Sequence, residues 1–144
     1  MKKVLSLLIS LIFTMSTFSA LAQSEVTVKF NGEEMTFDAA PFIEADRTLV
    51  PVRAIFETCK GASVNWDNDT KTVIIVYGEG DAQKFIVLQI GNNSAFVNGE
   101  AVTLDVPAKI VNDRTFVPLA FLMNELGNSV SWDGATRAVE ITDK

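Results

Sequence analysis

The sequence predicts an α+β fold: twisted antiparallel β-sheet and hairpins packed on two short helices, with an internal two-fold sequence repeat. Three observations predict it. Asp-Arg-Thr-Leu-Val-Pro at residues 46–51 returns as Asp-Arg-Thr-Phe-Val-Pro at 113–118. Each run leads into a short segment with apolar residues at i, i+3, i+4 and i+7, the single stripe of a helix that must lie on a sheet. Val-x-Trp-Asp then follows in both places, at 64–67 and 130–133, between segments that alternate apolar and polar at the period of a half-buried strand.

Taken in order, residues 1–22 read as a signal peptide. Lys2 and Lys3 form a basic start, an apolar run covers 4–13, and Ala20-Leu21-Ala22 offers a small-x-small cleavage pattern. An uncleaved membrane anchor is the alternative, although the run is short for a span and carries Ser and Thr. The expected domain is 23–144, built of two half-repeats at about 25–77 and 94–142 and joined by a hairpin. After cleavage no further apolar run is long enough to span a bilayer.

Residues 26–30 alternate as a strand, and Asn31-Gly32 suits a two-residue type I′ turn because both residues tolerate positive φ. A return strand is expected at 33–37, a short extended piece at Phe42-Ile43, a tight turn at 45–47 and another short strand at 48–50. Pro51 favours an extended residue before it and fits the first turn of a helix after it. Val52, Ile55, Phe56 and Cys59 make the helix stripe, Arg53 and Glu57 are spaced to pair on the other side, and Gly61 suits a left-handed cap. Strands follow at 62–66 and 71–77, then the linking turn at 78–81 and a strand at 84–90. The second copy repeats the hairpin around Asn98-Gly99, the helix stripe at Leu119, Leu122, Met123 and Leu126, the cap at Gly127, and a last strand at 137–142.

Composition removes several function classes. There is no histidine, so imidazole metal sites, Ser-His triads and His general catalysis are excluded. Without Lys2 and Lys3, ten basic residues face 18 acidic ones, which disfavours nucleic acid and anionic lipid as partners. The single cysteine, Cys59, makes no internal disulfide; it reads as a buried apolar residue, with an intermolecular disulfide as the alternative.

Five residues are candidates for a binding surface. Arg47 and Arg114 recur beside Asp46 and Asp113; they read either as ligand-binding arginines or as turns held by local ion pairs and bonds to carbonyls. Arg53 projects from the first helix, opposite its stripe. Trp66 and Trp132 read either as sugar-stacking platforms or, since each shares a strand face with a valine two residues before it, as core. Asp67-Asn68-Asp69-Thr70 has alternating oxygens but lacks the glutamate of a calcium loop, so an Asx-type turn is expected there. Glu79 and Asp81 are the nearest approach to a carboxylate pair and read as a solvated hairpin tip. No catalytic residue, cofactor or metal site is expected.

The run 97–105 (Val-Asn-Gly-Glu-Ala-Val-Thr-Leu-Asp), both Arg-Thr-x-Val-Pro segments and both Val-x-Trp-Asp-x-x-Thr segments resemble the copper amine oxidase N-terminal-like domain, also called the stalk domain. The resemblance spans about 25–142. It implies a bacterial, secreted or cell-surface module that is non-catalytic. The family pattern has Gly where Asp46 and Asp113 stand, Arg where Ala120 stands, and Leu-Gly where the first helix ends Cys-Lys-Gly. Three functions stay open: an exported module binding a cell-wall glycan or an envelope protein, a self-associating spacer or homo-oligomeric assembly subunit, and a small secreted hydrolase using carboxylates alone.

Overall fold

The computed structural model describes residues 26–59 and 61–143, with the side chains of Phe56 and Glu57 excepted. The expected signal segment 1–22 lies outside the described residues, and so does the expected pairing of Arg53 with Glu57. Thirteen strands and two short helices are found among the described residues. In order they are β1 (Thr27–Phe30), β2 (Glu33–Glu34), β3 (Phe42–Glu44), β4 (Arg47–Pro51), α1 (Val52–Thr58), β5 (Ala62–Asp67), β6 (Thr72–Tyr77), β7 (Lys84–Gln89), β8 (Ser94–Val97), β9 (Glu100–Thr103), β10 (Lys109–Val111), β11 (Arg114–Pro118), α2 (Leu119–Glu125), β12 (Ser129–Asp133) and β13 (Ala138–Thr142). The architecture is α+β and mostly antiparallel, as the alternation and the helix stripes predict.

The strands form three sheets, ordered β12-β13-β1-β2, β10-β11-β4-β3 and β5-β6-β7-β8-β9. One pairing departs from expectation: β1 and β13 run parallel, Val28 beside Val139 and Phe30 beside Ile141. A parallel neighbour cannot be reached through a tight turn, so it comes from the far end of the chain. Nothing local in either strand signals it.

The central sheet brings the two Arg-Thr-x-Val-Pro runs side by side. β4 and β11 are antiparallel, with Val50 opposite Val117, Leu49 opposite Pro118 and Pro51 opposite Phe116. Both faces of this sheet are covered. Val50 and Val117 join the main core with Ile55, Ile75, Ile86, Leu88, Leu122 and Ile141. Leu49 and Phe116 face a smaller cluster with Val106 and Phe42, where the two phenyl rings lie 4.9 Å apart. That explains three consecutive buried residues in each strand, Leu49 to Pro51 and Phe116 to Pro118. α1 packs on β5 and β11, and α2 on β12 and β4, so each helix bridges sheets.

The turns follow their residue chemistry with one exception. Asn31-Gly32 and Asn98-Gly99 take the positive φ values of a type I′ turn. Ala45-Asp46 and Asn112-Asp113 take them too, without glycine. α2 closes as expected on Gly127: the Asn128 N–H donates to the Met123 carbonyl at 2.9 Å and the Gly127 N–H to that of Asn124 at 3.1 Å. α1 does not close this way. Its cap is Cys59 in extended conformation, and Gly61, at positive φ, falls two positions beyond it.

Candidate functional site

The largest concavity described is a cleft of about 730 Å³. Its walls are the β3–β4 hairpin, the start of α2 and the β12–β13 hairpin. Leu119, Val130, Val139 and Ile43 make an apolar floor; Asp46, Arg47, Thr48, Ser131, Trp132 and Arg137 supply the polar and aromatic rim. The volume falls within the ~300–1,000 Å³ usual for small-molecule sites.

Trp132 is 47% exposed and Trp66 41% exposed, which overturns the expectation that they are core. The alternation itself holds. Trp132 stands opposite the buried Val139, as Trp66 stands opposite the buried Val73. Each indole therefore lies on the core-facing side of its hairpin, at the end where the sheet runs past the core. Burial depends on what faces a strand as well as on which way it points. For Trp132 the facing space is the cleft. Gly134 lies beneath the indole, where an added Cβ would sit 3.5 Å from Nε1.

Arg47 enters the same cleft but its charge is spoken for. Its Nε donates to Asp105 Oδ2 at 2.9 Å, its Nη2 contacts the same oxygen, and its Nη1 donates to the Asp46 carbonyl at 3.2 Å. Arg114 makes the corresponding bond to Asp38 Oδ2 at 3.1 Å. The expected pairing of each arginine with the aspartate beside it is thus replaced by pairing with an aspartate far along the chain; only the carbonyl bond of Arg47 is local. Asp46 and Asp113 occupy the left-handed turn position, at φ of 63°.

Arg137 was not a sequence candidate, yet it lines the cleft, and its Nε is buried without a hydrogen-bond partner. A buried unpaired donor costs about 1–3 kcal/mol, so this atom stands out. The sequence did carry a signal: a basic residue follows each tryptophan by five positions, at Lys71 and Arg137. Lys71 donates to Asn68 Oδ1 at 2.9 Å. Position 134 is glycine, so Arg137 finds no such acceptor in its own turn.

The remaining candidates lie apart. Arg53 lines a small hollow of about 180 Å³ with Asp38, Phe37 and Pro51. Trp66 is outside the large cleft. The two Val-x-Trp-Asp turns are Asx turns: Asp67 Oδ1 accepts from the Asp69 N–H at 2.9 Å, and Asp133 Oδ1 from the Ala135 N–H at 3.0 Å. Glu79 precedes an exposed turn of 3₁₀ helix and Asp81 lies within it, both side chains exposed. Cys59 is buried beneath α1, and burial pushes its thiol pKa up, with Asp143 adding to the shift.

The family model described as the copper amine oxidase N-terminal domain matches residues 29–141. The chain belongs to this family. No curated protein matches it. The family's name raises copper, and the residues do not fit that ion. The sequence has no histidine, its one cysteine is buried, and no group of three His, Cys, Asp or Glu side chains among the described residues could hold a metal. A copper amine oxidase N-terminal domain is a non-catalytic accessory module.

Proposed function

We propose that this copper amine oxidase N-terminal domain is an exported, non-catalytic binding module whose target is a component of the cell envelope, met through the Trp132 cleft. In this reading the two sequence copies form the two halves of the frame, with the Val50–Val117 pair at its centre. The observation that carries the proposal is the convergence of Arg47 and Trp132, two residues singled out from sequence alone, on the largest described concavity. An aromatic wall beside polar side chains and over an apolar floor suits a saccharide. Sedimentation with purified peptidoglycan sacculi, with and without calcium, tests it. Retention is the expected result; a protein left in the supernatant in both conditions rules out the cell wall as target.

A second reading is favoured by a separate feature. The outer face of the five-stranded sheet carries Phe85 and Phe96, 45% and 42% exposed, with Ile74, Val76 and Val87 beside them. This face is nearly free of charge in an acidic chain, so two copies could stack there without repulsion. Light scattering across a concentration series separates a self-associating spacer from a monomer.

A further inference from the structure

We infer that the ligand of the Trp132 cleft is a pyranose bearing a carboxylate, with Trp132 receiving the ring and Arg137 the acid. This rests on the cleft being the binding surface of the module. The two cations of the cleft are in different states. Arg47 is saturated, since its nitrogens are engaged by Asp105 and by the Asp46 carbonyl. Arg137 has no carboxylate and no side-chain acceptor among the described residues, and its Nε is buried without a partner. A guanidinium presents paired donors in a plane that match the two oxygens of a carboxylate. A ligand carboxylate seated in the cleft supplies acceptors to the two Nη groups, the part of the guanidinium that stays accessible and has no partner among the described residues.

The indole fixes the rest of the ligand. The flat, half-exposed face of Trp132 matches the C–H face of a pyranose ring, and its Nε1 makes no hydrogen bond among the described residues. Asp46, Thr48 and Ser131 stand on the same rim as partners for ring hydroxyls. Asp46 also argues against a bare polyanion, because it would repel a second acidic group close to the first. One acid on a hydroxyl-rich ring offers a partner to Arg137 and hydroxyls to Asp46, Thr48 and Ser131.

The two copies differ at this place. α1 carries Arg53 where α2 carries Ala120, and Ala120 lines the cleft. A small residue at the start of α2 keeps the cleft open, so an arginine introduced there should close it.

The experiment uses the chain from residue 23 onward carrying Trp66→Phe, so that fluorescence reports Trp132 alone. It is titrated with methyl galacturonide, one pyranose ring bearing one carboxylate, and with the neutral methyl galactoside. A saturable change with methyl galacturonide, and at least a tenfold weaker one with the neutral sugar, is expected. Arg137→Gln should weaken acidic-sugar binding at least about tenfold, Arg137→Lys less so, and Ala120→Arg should abolish it, each with an unchanged far-ultraviolet spectrum. Equal binding of the acidic and neutral sugars, an Arg137→Gln variant that binds as tightly as its parent, or no saturable change at millimolar sugar overturns the inference. Retention on sacculi that survives Arg137→Gln but is lost in Ala120→Arg leaves the cleft as the binding surface of the module and removes this inference. Acidic-sugar binding without retention on sacculi does the reverse.

Discussion

Val50 faces Val117 across the β4–β11 pairing, and both side chains are completely buried. They are the same residue of the same motif, met from opposite directions, and they tie the helices and all three sheets to one core. Val50→Ala and Val117→Ala should each destabilise by about 1–3 kcal/mol, from lost burial and the residual cavity. Because the two touch the same space, the double variant should deviate from the sum of the singles by about 0.5 kcal/mol or more. Urea midpoints at constant slope measure both.

The long-range arginine pairs should contribute far less. The Arg47 and Asp105 side chains are 47% and 67% exposed, so solvent screens them. Arg47→Ala is expected to cost no more than about 1 kcal/mol, and a double-mutant cycle with Asp105→Ala should give a coupling that shrinks in 1 M salt. A coupling above that range, unchanged by salt, would show the pair to be a structural clasp.

Ala45 occupies a left-handed conformation at φ of 49°, in a turn without glycine. Ala45→Gly should stabilise by up to about 1 kcal/mol, less the entropy glycine adds to the unfolded chain, and Ala45→Asn should stabilise with a smaller entropic offset. Thermal midpoints of the two variants should both exceed that of the parent.

Cys59 gives a pH dependence with a definite sign. Burial and Asp143 raise its pKa in the folded state, so the folded protein holds the thiol proton more firmly than the unfolded chain does. Stability from this residue is complete below the ordinary thiol range and declines as pH rises through and beyond it. Denaturation midpoints should therefore fall in alkaline solution, and Cys59→Ala should flatten that slope. Alkylation by iodoacetamide should be slow in the native state and rapid in urea.

Strands, helices and turns were legible because their signals are local. Alternation placed β1 and a β-branched run placed β6; Pro51 and Pro118 marked where the helices begin; Asn31-Gly32 and Asn98-Gly99 gave their turn type. The partners of these elements were not legible. Nothing in Thr27–Phe30 says that it pairs with the last strand, and nothing beside Arg47 says that its acid is Asp105. The tryptophans show the same division. Their facing was readable from Val64 and Val130, but their exposure depends on where each hairpin outruns the core. Arg137 shares with Lys71 its five-residue spacing from a tryptophan, and Gly134 in place of Asn68 removes the local acceptor; that no distant residue pairs with its Nε is decided only by the fold.

The parallel pairing of β1 with β13 has a mechanical side. Thr27 lies beside Ala138 and Phe30 beside Ile141, so the chain enters this sheet at one end and leaves it at the other. Tension between the segment before β1 and the segment after β13 pulls two neighbouring strands in opposite directions along their length. Their hydrogen bonds then carry the load together instead of parting one after another. A domain strung between a surface and a cargo would resist being drawn out in this direction, and would yield more easily if gripped at β2 and β12, the outer strands of the same sheet.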